Sequence, residues 1–570
     1  MGLLDYALAL SLNKDNLKTR IILDKKIQRP TITMDQNRYT VTIPQPAIST
    51  NGLASFLGLK ILPDSSGKIY IGRLFRACIS HLTAHTLVPS YSGKCTMIQE
   101  HASMENFARA LVEDACVATY ISSKQPDRLY DIAFANSLAY TTMKPAERIF
   151  NPATRLMSVV LTQANTGLVK GVISAEEEEL ARKVFLSLDL LRKRLLSTAI
   201  AETDGKVLKD SIDELVQIMD QFGPVVEAPS FPYTEQIGPC NLFAELNVPP
   251  EPQVQKVFWK SIEILSGKVP SEGSFESCWE KRVDAEAAQA FDTWVQQKNR
   301  EEGILAKLRE CAKSSKFKSI SFPQEDYSQY LRARELISGG SRRLLDSLRV
   351  AQDALDEDPG KEFGQLDLTA VINAIASQKP GTDVFLRDEY LSRSFAWGLL
   401  FDVSESMKLK GEFARALAIC VAEATKELLM DSGSWAFFAF NDSFWVLKDS
   451  SEQYSNKVRA RLGGLKFGGM TYLPDAMRVS GEFLTKRYDE QRFLVVISDG
   501  WPYGYQGIDE AVSEALTWLQ QKGIAVVGIG VETEKMKTFF KISTPVYTQK
   551  DLIKRFSSIY VNASAAMLET

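Results

Sequence analysis

Short apolar segments alternate with helical segments through the last third of the chain, from Phe395 onward. The apolar segments are FAWGLLFD, SWAFFAF, FWVL, RFLVVISD and IAVVGIGV, and predicted helices near 411–430, 473–487 and 507–522 separate them. A strand that is apolar at nearly every position is buried on both faces, as in a parallel sheet covered by helices. The pattern therefore predicts a doubly wound, Rossmann-like α/β domain over residues 395–570.

Oxygen-bearing side chains lie in three loops at the predicted strand ends. Asp402, Ser404 and Ser406 form a D-x-S-x-S run after the first strand, Asp499 follows the fourth, and Thr471 lies in a glycine-rich loop between them. In doubly wound sheets, ligands bind beyond the carboxyl ends of the strands. Asp402 and Ser404 could instead only cap the next helix. Because three loops supply oxygen ligands alone, the sequence favours a divalent cation, and such ligands suit Mg2+.

These five residues resemble the defining residues of a von Willebrand factor A (VWA) domain with a metal-ion-dependent adhesion site (MIDAS). That family has D-x-S-x-S in the first loop, a threonine in the second and an aspartate in the third, and all five positions match here. The resemblance implies that the site holds Mg2+ or Mn2+ and that a carboxylate of a binding partner completes the coordination. It therefore implies an adhesive site with no catalytic residues.

A narrower resemblance covers roughly residues 365–535. The segments LDLTAVI at 366–372, TYLPDAMR and SDGWPYGYQGIDEAV resemble the NorD, CbbO and CobT group of bacterial and archaeal proteins. This resemblance implies partnership with a hexameric AAA+ ATPase of the MoxR class, in activating a target enzyme or inserting metal into it. The chain has no GxxxxGK[ST] motif, so the ATPase activity is expected from the partner. We therefore expect a non-enzymatic adaptor or activator that binds an acidic residue of the target enzyme.

The rest of the chain is predicted to be mainly helical and to form several domains. Alternating residues at 31–44 predict a β hairpin turning at Asp35-Gln36-Asn37. Prolines are dense over 223–253, which excludes helix interiors there. The predicted segments are a helical N-terminal domain with the hairpin (1–150), a helical region (151–222), a proline-rich linker or loop (223–253), a helical middle region (254–356), a linker and lead-in segment (357–394) and the VWA domain (395–570).

The three histidines are His81, His85 and His101. His81 and His85 are four residues apart in a helical pattern, so they face one side as zinc ligands on a helix would, and Glu113 is a candidate third ligand. Three interpretations remain open: histidines without metal, a structural or vestigial Zn2+ site, and a zinc-dependent hydrolase. Leu82 occupies the position of the general base of glutamate-type zinc peptidases, which argues against a hydrolase. We expect the pair to be metal-free.

Charge and cysteine usage limit the remaining functions. With 67 basic and 71 acidic residues, the net charge of -4 provides no long-range attraction to nucleic acid or anionic membranes. The 7 cysteines show no CxxC pair, and no apolar stretch approaches the ~20 residues that span a bilayer. We therefore expect a cytoplasmic protein with free thiols and no membrane insertion. A standalone adhesion or scaffold protein is the further alternative.

Overall fold

The computed structural model describes residues 2–35, 38–48, 54–61, 64–88, 103–197, 205–220, 223–243, 251–267, 279–337, 339–361, 363, 365–377, 383–388, 395–429, 431–487, 491–500 and 502–568. The chain divides into two compact units, Met1–Lys298 and Asn299–Thr570. The finer segmentation expected from the sequence stays a prediction. Within the described ranges, no helix has both the length and the apolar character needed to cross a membrane.

The first unit begins with a short helix and six strands. These are α1 Leu3–Leu10, β1 Thr19–Asp24, β2 Thr31–Asp35, β3 Arg38–Pro44, β4 Ala47–Ile48, β5 Ala54–Phe56 and β6 Leu59–Ile61. The predicted hairpin is confirmed, because β2 and β3 pair antiparallel up to Asp35 opposite Arg38. Gln36 and Asn37 of the predicted turn lie outside the described residues. Strand β1 adds to β3 in parallel, and β4, β5 and β6 form a second small sheet.

Helices make up the remainder of the first unit. They are α2 Ser65–His85, α3 Met104–Lys124, α4 Leu129–Thr142, α5 Pro152–Thr166, α6 Ala175–Ser197, α7 Gly205–Met219, α8 Glu251–Ser266 and α9 Trp279–Cys311, and the division between the units falls within α9. Helix α4 is buried on almost every side and packs against α2, α5 and α8. A helix that is buried on almost every side lies at the centre of a core. The mainly helical character predicted for this part is confirmed.

The second unit contains strands that alternate with helices. Its elements after α9 are β7 Ile320–Ser321, α10 Tyr327–Glu335, α11 Gly340–Asp356, β8 Glu357–Lys361, β9 Gln365–Leu366, α12 Leu368–Ser377, β10 Phe385–Asp388, β11 Phe395–Asp402, α13 Gly411–Leu428, β12 Trp435–Phe440, β13 Phe444–Lys448, α14 Asn456–Gly463, α15 Leu473–Thr485, β14 Gln491–Ser498, α16 Ile508–Gln521, β15 Ile524–Val531, α17 Met536–Phe539, β16 Ser543–Val546 and α18 Gln549–Leu568.

A seven-stranded sheet with the order β16-β15-β14-β11-β12-β13-β7 forms the centre of this unit. Every neighbouring pair is parallel except β12 with β13. Successive residues of β11 point to opposite faces. Trp397 and Phe401 enter a core with α13 and α18, whereas Ala396 and Leu400 enter a core with α15 and α16. The predicted α/β sheet covered on both faces is therefore present.

Residues before Phe395 complete this unit. Strand β7 extends the sheet by pairing with β13, and Tyr330 of α10 and Leu348 of α11 are fully buried in the same core as Trp397. The sequence predicted a helical middle region over 254–356, and β7 is a strand within it. A three-stranded sheet of order β8-β10-β9 also lies within the segment expected to be a linker.

Candidate metal centre

Strand β11 lies at the centre of the sheet, and its last residue is Asp402. The chain continues from β11 to β12 on one side, while β14 occupies the other side in parallel. Phe401 lies opposite Ile497, so the carboxyl ends of β11 and β14 are adjacent. This reversal of strand order is a topological switch point, where doubly wound sheets open a crevice for ligands. The predicted site residues are therefore at the edge that binds ligands in this class of sheet.

The Asp402 side chain is completely buried at this edge. Its Oδ1 atom accepts a hydrogen bond from the Ser404 backbone N–H at 2.9 Å, and its Oδ2 atom accepts one from the Ser498 hydroxyl at 2.6 Å. Burial, followed by the nearby charge of Asp499, raises the pKa of Asp402 to about 6, although the hydrogen bonds act in the opposite direction. Two carboxylates are thus held close together where water is largely excluded.

The D-x-S-x-S turn brings two hydroxyl groups next to Asp402. The Oγ atoms of Ser404 and Ser406 are 3.1 Å apart, with Ser404 buried and Ser406 exposed. A 3-10 helix at Glu405–Lys410 follows directly and leads into α13. The turn therefore presents one buried and one solvent-accessible hydroxyl on the same side.

The glycine-rich loop packs directly on this turn. The Gly468 N–H donates to the Val403 carbonyl at 2.8 Å, and the Glu405 N–H donates to the Gly469 carbonyl at 3.1 Å. Gly469 has φ +80, and a Cβ atom there would lie 2.9 Å from Oδ1 of Asp442, so only glycine fits without strain. The loop thereby brings the predicted ligand Thr471, two residues after Gly469, to the first loop.

Thr471 links the second loop to the third. It is buried and exchanges two backbone hydrogen bonds with Tyr503, of 2.9 and 3.2 Å. Tyr503 belongs to the loop after β14, the strand that Asp499 follows. The five residues predicted from the sequence therefore lie on three loops that contact one another.

Asp499 provides the strongest sign that a cation belongs at this site. Its side chain is 8% exposed, and Oδ1 is buried without a hydrogen-bond partner among the described residues. A buried carboxylate oxygen without a donor is costly, and more so beside a second carboxylate. The five predicted residues offer a metal ion carboxylate and hydroxyl oxygens, which is the ligand set that Mg2+ and Mn2+ bind. The residues therefore fit a divalent cation.

The first unit contains a second cluster of possible metal ligands, at His81 and His85 of α2. Both Nε2 atoms lie near Oδ1 of Asp114 in α3, at 3.3 and 3.4 Å, and they are 3.1 Å from each other. The sequence suggested Glu113 as the third ligand, but the residue that the structure brings to both imidazoles is the adjacent Asp114. Leu82, in the position of a general base, is completely buried.

The remaining histidine, His101, lies outside the described residues.

Within the cluster of His81, His85 and Asp114, burial lowers the pKa of His81. Burial alone would also lower the pKa of His85, but its hydrogen bond to Asp114 raises it overall. The imidazoles in turn hold the pKa of Asp114 well below its usual range, against the effect of burial. The carboxylate is therefore ionised and available as a ligand.

Comparison with known proteins finds similarities that cover parts of this chain. No protein-family model matches it. An uncharacterized protein of Pseudomonas aeruginosa is 26% identical over 197 residues, which are 30% of this chain and 32% of that protein. The chain thus matches about a third of the length of this relative.

Solved structures that resemble the chain include bacterial and parasite proteins. The pilus adhesin SpaC of Lactobacillus rhamnosus GG has a TM-score of 0.25 and 11% identity, over 31% of this chain and 30% of that one. The manganese-loaded TRAP protein of Plasmodium vivax has a TM-score of 0.22 and 15% identity, over 29% and 73%. The PilB minor pilin of Streptococcus sanguinis has a TM-score of 0.24 and 11% identity, over 33% and 66%. Each similarity is confined to about a third of this chain.

Proposed function

We propose that the second unit is a VWA-type domain that binds one divalent cation, Mg2+ or Mn2+, and uses it to bind an acidic side chain of a target protein. The ligands are the five residues Asp402, Ser404, Ser406, Thr471 and Asp499. The observation that carries the proposal is the buried Oδ1 of Asp499, which has no hydrogen-bond partner in the described part of the chain and lies near the buried carboxylate of Asp402. Two negative charges in this environment destabilise each other, and a positive charge between them relieves that cost.

The residues around the site are suited to binding and not to catalysis. Asp402 and Asp499 supply the negative charge that retains a cation, and Ser404, Ser406 and Thr471 add neutral hydroxyl oxygens. A bound Mg2+ or Mn2+ would supply a positive charge that attracts a carboxylate from outside. Ser406 is exposed, so solvent and a partner have access to this side of the site.

Exposed apolar side chains lie on the segments that carry or follow the predicted ligands. Leu409 in the 3-10 helix, Met470 before Thr471, and Tyr503 opposite Thr471 are all exposed. Large apolar residues that are exposed together mark interaction surfaces more often than residues that are exposed singly. A protein interface typically has such apolar residues around a few charged contacts. This supports a protein as the ligand and argues against a free small anion.

We further propose that the chain is an adaptor between a MoxR-type AAA+ ATPase and a target enzyme, which the pair activates or supplies with metal. This rests on the sequence resemblance and on the missing P-loop. Helix α12 offers a surface for such a partner, because Leu368, Ile372 and Ile375 are exposed and recur at helical spacing on one face. These residues lie within or next to the LDLTAVI segment that carries the resemblance.

Calorimetry with full-length protein tests the cation site. We expect Mg2+ and Mn2+ to bind the native chain and Asp402→Ala to abolish binding. Asp449→Ala is the matched control, since Asp449 is also buried, at 8% exposure, but follows β13 at the opposite edge of the sheet. Unchanged Mg2+ affinity in a folded Asp402→Ala protein would remove the assignment.

The adaptor proposal has its own test. The purified chain should not turn over ATP, and it should bind a purified MoxR-type ATPase from the same organism and stimulate it. Ile372→Asp should weaken that binding while Mg2+ affinity stays the same, because the residue is far from the five ligands in sequence and lies on an exposed face. Steady ATP turnover by the chain alone would contradict the proposal.

A further inference from the structure

The cluster of His81, His85 and Asp114 brings three ligand atoms to one point. The two Nε2 atoms and Oδ1 of Asp114 form a triangle with edges of 3.1, 3.3 and 3.4 Å. The side chains are 5%, 13% and 22% exposed, so the triangle lies mostly away from solvent. Helices α2 and α3 hold the three residues in place.

Protons alone cannot satisfy all three contacts. An imidazole nitrogen has a single position in the ring plane, which either carries a hydrogen or accepts one. Each Nε2 can therefore take part in one directed hydrogen bond, so at most two of the three edges can be hydrogen bonds. If both imidazoles donate to Asp114, the 3.1 Å contact between His81 and His85 places two N–H groups against each other. One cation at the centre would satisfy all three atoms together.

The dimensions of the triangle match those of a tetrahedral zinc site. Zinc lies about 2.0–2.1 Å from nitrogen and oxygen ligands, so neighbouring ligands of a tetrahedron are about 3.3 Å apart. The three observed edges are close to that value. We propose that His81, His85 and Asp114 bind one Zn2+ ion. This replaces the sequence-based expectation of a metal-free pair, and Asp114 takes the place of the candidate third ligand Glu113.

The surroundings of His81 hold its ring in position. The Tyr233 ring packs edge-on against it with centroids 5.4 Å apart, and the Tyr233 hydroxyl donates to Oδ1 of Asn136 at 2.7 Å. His81 and His85 are also fixed relative to each other by one helical turn of α2. Ligands that are already placed before the metal arrives lose little freedom when they bind it, which increases affinity.

A pocket adjoins two of the three proposed ligands. His85 and Asp114 line this pocket together with Glu113, Arg109 and Glu235, all within the first unit. Three protein ligands and one position reached from a pocket are the arrangement of zinc sites that bind water or an anionic ligand. The site differs from the proposed Mg2+ site in its ligands, which include two nitrogens, and it does not depend on that proposal.

Zinc titration of the full-length protein tests the inference. The chain is stripped with a chelator and titrated in excess Mg2+, which occupies the other site, and elemental analysis follows gel filtration. We expect one zinc per chain. Asp114→Asn and His85→Ala should each weaken zinc binding by more than the ~10–100-fold typical of changes outside the ligands.

Glu113→Gln is the matched control, because it changes the neighbouring carboxylate and should retain zinc. Cobalt substitution of the native chain gives a second measurement that needs no variant. We expect the intense visible bands of tetrahedral Co2+ in excess Mg2+. The inference fails if the native chain takes up no zinc, if cobalt shows only weak octahedral bands, or if Glu113→Gln loses zinc while a folded Asp114→Asn retains it.

Discussion

Asp402→Asn should stabilise the metal-free protein at neutral pH. Burial and Asp499 raise the pKa of Asp402 to about 6, from an ordinary value of 3.8. Between these values the folded chain holds a proton on Asp402 that the unfolded chain has lost. The stability of the metal-free protein therefore falls as pH rises from about 4 to about 6, and at pH 7 the ionised carboxylate costs about 3 kcal/mol.

An asparagine removes this charge and keeps the local hydrogen bonds. Its amide oxygen can accept from the Ser404 N–H, and its amide nitrogen can donate to Ser498 Oγ, which still accepts from the Gly500 N–H. We expect the variant to gain up to about 3 kcal/mol at pH 7 without metal, and to lose the pH dependence between 4 and 6. Mg2+ at 100 times its Kd should stabilise the native chain by about 2.7 kcal/mol and the variant not at all.

Hydrogen exchange of the β11 and β14 amides in dilute urea is the appropriate measurement, because it reports the opening of the second unit alone. Native chain, Asp402→Asn and the control Asp449→Asn are compared at pH 5 and pH 7, with EDTA or with Mg2+. The reasoning is refuted if Asp402→Asn is less stable than the native chain in EDTA at pH 7. Equal stabilisation of both proteins by Mg2+ would refute the role of Asp402 as a ligand.

Three smaller changes test other parts of the structure. Gly469→Ala should destabilise the second unit by about 1–2 kcal/mol and weaken Mg2+ binding, since φ is +80 and the new Cβ would contact Asp442; unchanged calorimetry would exclude a role for the loop. Thr471→Val keeps the shape but removes the hydroxyl, so Mg2+ affinity should fall about tenfold or more with the fold retained. Tyr233→Phe leaves Asn136 without its buried donor and should cost the first unit about 1–3 kcal/mol by hydrogen exchange of α4, with weaker zinc binding.

The sequence was sufficient to predict the central strands and the helices between them. Strands such as β11 and β14 are apolar at almost every position, and this pattern is local, so burial on both faces can be inferred without knowing the neighbours. The edge that carries Asp402 and Asp499 follows as well, because parallel strands share their carboxyl ends. The hairpin of β2 and β3 was likewise predictable from alternation and a turn between them.

The sequence could not show which distant segments join a core. Strand β7 has two residues and too little pattern to be recognised, and Tyr330 enters the same core as Trp397 only because α10 packs against α13 and α14. Short elements of this kind are specified by their tertiary neighbours, since their own residues bury too little area to form alone.

By itself, the sequence determined the α/β sheet, the three loops at its carboxyl edge and the spacing of His81 and His85 on one helix face. Only the tertiary structure decided that Asp114, and not Glu113, meets those histidines. Adjacent residues of a helix point about 100° apart, so the rotation of α3 against α2 selects one of the two carboxylates. That rotation is set by how the two helices pack, and it cannot be inferred from the local sequence of α3.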